Sequence, residues 1–254
     1  GGSVQTISVS QALPFSEGKI ENFYMEYFMK GIKSETIKDN SIIVSGHSYQ
    51  SKEPGITITM NGVFEKQISK NQGQEDDLIY LSKPLGTGYL LAAYFNNSDF
   101  LSSIDFQNLL EWLKKGNSKA SEISKSFKSN ITTDISGFGL ASHLSDICKS
   151  SKLSAEIKLN KDILINKNIG ILENFKSTGF DNNYSSSVNE ILISDSNKLK
   201  NILYDPQTNG PLLLSIHKKD QIEFEKKFQL KIGFSPILIG KFIKTRDKLI
   251  NVID

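Results

Sequence analysis

The sequence predicts an α+β segment followed by an α/β domain, and three observations carry that prediction. Two-residue apolar alternation recurs over Val4–Leu13 and Ile56–Val63, the period of a half-buried strand. Short apolar runs, Leu78–Leu81 and Leu212–Leu214 within Leu212–Ile216, have the character of strands buried on both faces. Between and after these runs lie segments with apolar residues at helical spacing, so strands and helices alternate through the second part of the chain.

Taken in order, Val4–Leu13 sets Val4, Thr6, Ser8 and Ser10 against Gln5, Ile7, Val9 and Gln11, and Pro14 and Gly18 punctuate it. Ile20–Ile37 places Phe23, Tyr24, Tyr27, Phe28 and Ile32 along one side of a helix that Gly31 interrupts. Ile42-Ile43-Val44 reads as a short buried strand ending in Ser45-Gly46-His47, and Ile56–Val63 as the next strand. A polar turn, Asn71–Asp77, precedes the strand Leu78–Leu81. Lys83-Pro84 marks the boundary, so the expected domains are residues 1–82 and 83–254.

Gly86-Thr87-Gly88 opens a helix through Leu90, Leu91 and Tyr94 that ends at Asn96-Asn97. A longer helix is expected over roughly Phe106–Phe127, carrying Leu109, Leu110, Trp112 and Leu113. After a central motif and its helix come a strand at Ala155–Leu159 and a helix at Ile169–Phe175. Thr178–Ser187, with Gly179 and a Ser/Asn cluster, reads as a loop, and Leu199–Tyr204 as a short helix. The strand Leu212–Ile216, a charged amphipathic helix Lys218–Leu230 and a terminal strand pair within Ile237–Val252 complete the pattern.

A chain of 254 residues can bury a substantial core. Its 30 basic and 28 acidic residues are interspersed for a net charge of +2, which points to neither nucleic acid nor an anionic membrane as partner. No run approaches the ~18 apolar residues of a membrane span, and no signal peptide is visible. Cys148 is the single cysteine, which excludes an internal disulfide, and a cytoplasmic location is expected. It sits on the apolar face of its helix, where a packed, inert thiol is expected.

The central motif is Thr132-Thr133-Asp134-Ile135-Ser136-Gly137-Phe138-Gly139-Leu140, followed by Leu144 and Ile147 at helical spacing. A Gly-rich turn ahead of a helix lets backbone N–H groups approach an anion, and Asp134 can hold a hard cation such as Mg²⁺ against phosphate oxygens. The same pattern also reads as Asp134 and Ser136 capping the helix with glycines forming the turn. Local pattern leaves both readings open. His47 reads either as a ligand contact or as a strand-end histidine bonded to backbone; His143 reads as structural and His217 as solvated.

The central stretch resembles the Asp-Val-Thr-Gly-Phe-Gly signature of selenophosphate synthetases (selenide, water dikinases), members of the aminoimidazole-ribonucleotide-synthetase-like (PurM-like) superfamily. Asp205-Pro206-Gln207-Thr208-Asn209-Gly210-Pro211 resembles that family's Asp-Pro-Gln-Thr-Ser-Gly-Gly segment, and Lys83-Pro84-Leu85-Gly86-Thr87-Gly88 its Lys-Pro-Leu-Gly-Thr-Gly junction. Ser45-Gly46-His47-Ser48 is similar to its Gly-Gly-His-Ser/Thr loop. The four motifs follow the family's order.

The resemblance implies a two-domain PurM-like architecture, here an incomplete N-terminal ATP-binding domain that pairs across a homodimer and a complete C-terminal α/β domain. It implies ATP and Mg²⁺ as substrate and cofactor, with ATP, water and selenide or a related small nucleophile giving selenophosphate, AMP and phosphate. Carried over residue by residue, it implies nucleotide contact at Ser45, Gly46 and His47 and metal binding at Asp134. Ser45, Asn209 and Pro211 depart from the family pattern; Pro211 lacks an N–H, so the Asp205 block reads as a structural turn feeding the Leu212–Leu214 strand.

The family's Cys or selenocysteine, its Lys and two further aspartates all lie upstream of the stretch that Gly1-Gly2 resembles, so no catalytic residue is assigned. The chain alone is expected to be inactive and to be part of a longer protein, with an oxidoreductase domain fused upstream in one branch of the family. A degenerate, non-catalytic homologue kept for dimerisation or ligand binding is the rival expectation. Thiamine-phosphate kinase or hydrogenase-maturation chemistry is a third.

Overall fold

The structure, a computed structural model, describes residues 2–15, 19–64, 72–96, 99–127, 129 and 131–253. Gly1 of the Gly1-Gly2 match, Gly18, Asn71 and Asn97 lie outside the described residues. The chain forms two compact units, residues 1–67 and 68–254.

In the first unit, β1 (Ser3–Pro14) is the centre of a three-stranded sheet, with β2 (Ile42–Ser51) parallel on one side and β3 (Gly55–Val63) antiparallel on the other. The helix α1 (Lys19–Asp39) packs Ile32 against Ile7 and Val9, with Val4, Met29 and Ile43 at the margin. The alternation of β1 explains this: Ile7 and Val9 face the helix, and Ser8 and Ser10 face away. The aromatic stripe expected on α1 is only partly used, for Phe23 and Tyr27 remain more than half exposed.

Two expectations fail here. β2 is neither short nor buried: it runs to Ser51, and nearly all its side chains are exposed because β2 is an edge strand. Leu78–Leu81 does not belong to this unit.

That run forms β4 (Leu78–Leu81) in the second unit, within a seven-stranded sheet of order β5-β8-β4-β9-β6-β10-β7. The other strands are β5 (Thr132–Asp134), β6 (Leu153–Lys158), β7 (Ile191–Leu192), β8 (Leu212–Ile216), β9 (Ile237–Lys244) and β10 (Ile250–Ile253). β4 pairs antiparallel with both β8 and β9, so the compact division lies ahead of it and not at the expected 82/83 boundary. Only a partner strand distinguishes which sheet a four-residue apolar run joins.

Helices cover both faces of this sheet. Ile79 and Leu81 share a core with α2 (Thr87–Phe95), α5 (Gly139–Ser151) and α6 (Ile169–Asn174). Leu78 and Tyr80 share another with α4 (Ser118–Ser126) and α8 (Gln221–Ile232). Burial on both faces is why β4 and β8 are predominantly apolar, the buried Ser215 of β8 accepting the Ile131 N–H.

The helix expected over Phe106–Phe127 is two helices, α3 (Ser103–Lys114) and α4, broken at Lys115, which adopts extended backbone ahead of Gly116. The loop expected at Thr178–Ser187 contains α7 (Phe180–Ser187). Its Ser/Asn composition is a poor helix signal, and burial of Phe180 and Asn183 outweighs that weak propensity. The terminal strands are not a pair: β6 lies between β9 and β10, antiparallel to the first and parallel to the second.

Candidate functional site

Three of the four motifs meet in the second unit. The Lys83–Gly88 segment leads into α2, and the Asp205–Pro211 loop folds over that helix's first turn. Gln207 Oε1 accepts the N–H groups of Gly86 and Thr87 at 2.9 and 3.3 Å and the Thr87 hydroxyl at 3.2 Å. The Thr87 hydroxyl in turn accepts the N–H of Thr208 at 2.9 Å. Gln207 thus satisfies helix-start donors that would otherwise be orphaned.

Behind it, Asp205 is 1 % exposed. Gln207 Nε2 donates to Asp205 Oδ2 at 2.8 Å, whereas Oδ1 makes no well-formed hydrogen bond although the Gly88 and Tyr89 amides face the carboxyl. Burial pushes this carboxyl up to about 7, against the smaller downward pull of those donors. Gly88 permits the contact: a Cβ there would lie 2.3 Å from Pro206 O and 2.5 Å from Asp205 Oδ1.

The loop's other end is tied to α3. Asn209 Nδ2 donates to the carbonyls of Leu113 and Lys115 at 2.7 and 3.2 Å, and Lys83 Nζ donates to Lys115 O at 2.6 Å. Burial, with Lys115 beside it, lowers the Lys83 ammonium to about 8. Asn117 bridges Ser82 and Gly210, accepting from Ser82 Oγ at 3.2 Å and donating to Gly210 O at 2.8 Å.

The central motif abuts the same loop. Ile135 donates its N–H to Pro211 O at 2.9 Å, and Ser136 O accepts from Gln207 N at 3.1 Å and Gly139 N at 3.0 Å. The Ser136 N–H donates to His143 Nε2 at 3.3 Å, so His143 holds the turn from inside α5, a structural role. Asn183 on α7 completes the frame by donating to Gly137 O and Tyr204 O at 2.9 and 3.0 Å.

Asp134 ends β5, opposite Leu212, with its side chain exposed. The capping alternative for Asp134 and Ser136 does not hold, because the residue at the start of α5 is Phe138 and no side chain caps that end. The Ser136 and Gly139 amides are used inside the turn, and Gly137 and Phe138 between them are exposed.

Ser45, Gly46 and His47 lie in the first unit, and they are mid-strand residues of β2, not a loop. Val44 is the extra residue of a bulge between Ile43↔Ile7 and Ser45↔Ser8. Register places Ser45 beside Ser8 and Thr59, and His47 beside Ser10 and Thr57, on the sheet face opposite α1. These hydroxyl-lined rows are the polar surface on which the expected nucleotide contacts sit.

Cys148 is buried, and burial pushes its thiol up to about 12, in keeping with an inert packed residue. His217 is exposed and accepts the Lys219 N–H at 3.2 Å. Sequence reasoning read the Asp205 block as a turn and missed Gln207 and Asn183 as the groups that join segments. For Gln207 the motif itself was a usable signal; for Asn183 there was none.

Residues 74–247 match the family described as AIR synthase related protein, C-terminal domain. The chain is 28 % identical over 233 residues to a selenide, water dikinase of Treponema denticola, covering 88 % of this chain and 65 % of that protein. It is 31 % identical over 213 residues to a selenide, water dikinase of Campylobacter jejuni, covering 81 % and 60 %. It thus spans less than two thirds of the length of these curated relatives.

Among solved structures, thiamine monophosphate kinase from Aquifex aeolicus aligns with a TM-score of 0.67 at 16 % identity, over 99 % of this chain and 74 % of that one. The hydrogenase maturation protein HypE in complex with ATP aligns with a TM-score of 0.65 at 14 % identity, over 96 % and 67 %. At such identity the likeness is one of fold, the PurM-like fold. By its match over residues 74–247, the chain belongs to the AIR synthase related protein family, whose C-terminal domain it carries.

Proposed function

We propose that this chain is the C-terminal two-thirds of a selenophosphate-synthetase-like enzyme, a homodimer that uses ATP and Mg²⁺ to phosphorylate selenide or a related small nucleophile. The observation that carries the reading is the convergence of Lys83–Gly88, Asp134–Gly139 and Asp205–Pro211 on one locus, in a chain similar along most of its length to selenide, water dikinases. The clamp fixes the position of the turn that presents Asp134, and phosphoryl transfer depends chiefly on positioning and charge neutralisation.

The donor set limits what Asp134 does. Among the described residues no three His, Cys, Asp or Glu side chains stand together as a metal site. Asp134 fits Mg²⁺ as one hard oxygen ligand, the others coming from ATP phosphates, water and residues beyond this chain. In the first unit, Ser45 and His47 contact the nucleotide from the polar sheet face.

Ser45, Asn209 and Pro211 favour a second reading, a non-catalytic homologue that binds a nucleotide or partner. The test is selenide-dependent AMP formation. This chain alone is expected to form none, and the product of the whole parent gene is expected to form AMP. In that longer protein Asp134→Asn is expected to abolish turnover while leaving the melting temperature within about 2 °C, since Asp134 is exposed and caps no helix. Near-normal turnover of that variant would remove the metal role, and an inactive parent protein would favour the second reading.

A further inference from the structure

We propose that the cleft between α5 and α7 binds a small organic cation, a protonated amine or guanidinium compound. The cleft has a volume of about 420 Å³, within the range of ligand sites. The argument begins with the spacing on α5. Leu140, Leu144, Ile147 and Cys148 fill the core, whereas Ser142, Ser145, Asp146 and Lys149 recur at intervals of three and four along another stripe. That stripe and Asn182 and Ser186 of α7 line the same cleft, so two neighbouring helices present polar side chains to one space.

Two details point to a ligand. Ser145 is 2 % exposed, yet its hydroxyl has no hydrogen-bond partner. A buried hydroxyl left unpaired is costly, and an occupant of the cleft would supply the missing partner. The second is the charge arrangement. Lys149 is paired to Glu190 at one end, which neutralises the one lysine among the described residues lining the cleft, and the Nε2 of His143, which also lines it, is held by the Ser136 N–H. Asp146, between that pair and Ser142, is exposed and has no ion pair among the described residues. One uncompensated carboxylate remains, so the site favours a cation and repels an anion.

Phe138 closes the other end of the cleft and is 68 % exposed. Its ring offers an apolar wall to a hydrocarbon stem and a π face to a cation. The complementary ligand therefore carries a positive charge for Asp146, a hydrogen-bonding group for Ser145 and a short apolar stem. The cleft adjoins the turn that follows Asp134, sharing Phe138, His143 and Asn183 with it, but the proposal does not depend on a metal role for Asp134.

The probe is agmatine, which carries an ammonium and a guanidinium on a four-carbon stem, titrated calorimetrically into the whole chain, with inorganic phosphate as the probe of opposite charge. Saturable one-to-one binding of agmatine is expected, weakened at least tenfold in Asp146→Asn and several-fold in Ser145→Ala. Without ligand, Asp146→Asn is expected to melt like the parent chain because Asp146 is exposed, and Ser145→Ala at or above it because an unpaired buried hydroxyl is removed. Absence of saturable agmatine binding would overturn the proposal, as would unchanged affinity in Asp146→Asn or saturable phosphate binding that Asp146→Asn strengthens.

Discussion

Gln207 and Thr87 are 120 residues apart in sequence and joined twice in the fold: Gln207 Oε1 accepts both the Thr87 N–H and the Thr87 hydroxyl, at 3.3 and 3.2 Å. With the Gly86 N–H on the same oxygen, one buried carbonyl secures the start of α2. Gln207→Ala leaves these donors unpaired in a buried place. The expected loss of stability is about 2–4 kcal/mol, read from the denaturant midpoint of the second unit. A loss under about 0.5 kcal/mol would mean that the clamp does not contribute to stability.

Asp205 supplies a pH prediction. Its carboxyl lies at about 7 in the fold, against 3.8 as the ordinary value in an unfolded chain. Between those values the folded state holds a proton that the unfolded state has released, so stability falls as pH rises. The contribution is complete below about pH 4 and lost once pH passes about 7. Asp205→Asn, neutral throughout, is expected to flatten the fall of the urea midpoint between pH 4 and 7 and to exceed the parent chain above pH 7. Parallel curves for the two proteins would refute the assignment.

The two glycines of the central turn should respond differently to alanine. Gly139 has φ +72°, and a Cβ there would sit 3.0 Å from Leu203 O, so Gly139→Ala combines left-handed strain with a backbone clash. A cost of roughly 2–3 kcal/mol is expected. Nothing lies within 4 Å of a Cβ at Gly137, and Gly137→Ala is expected to stay within about 0.5 kcal/mol. Thermal melts of the pair decide it, and equal costs would count against the geometry of the turn.

The division into units also has a measurable consequence. Among the described residues, the first unit rests on one helix and a three-stranded sheet with a core around Ile7, Val9 and Ile32. The second buries both faces of a seven-stranded sheet. Limited proteolysis is therefore expected to cut first within residues 19–64 and to leave a product that retains Leu78–Leu81. Early loss of Leu78–Leu81 from the resistant product would restore the boundary expected at Lys83-Pro84.

The sequence determined those features whose cause is local. Alternation located β1 and β3, and bounded apolar runs located β4 and β8, because side-chain period reports which faces are buried. The glycines and acid of the central motif identified the turn that ends at α5, and family resemblance identified the segments now joined around it.

What tertiary structure decided was every question of partnership. Leu78–Leu81 reads the same whichever sheet receives it, and only β8 and β9 place it in the second unit. Ser45-Gly46-His47 became strand because β1 offers a parallel partner, with Val44 bulged to keep the faces in register. Phe180–Ser187 became helix against its own weak propensity, since Asn183 finds carbonyls at Gly137 and Tyr204. Hydrogen bonds between residues 120 apart leave no periodic trace in a chain, so the Gln207 clamp became visible only once its two ends had been brought together.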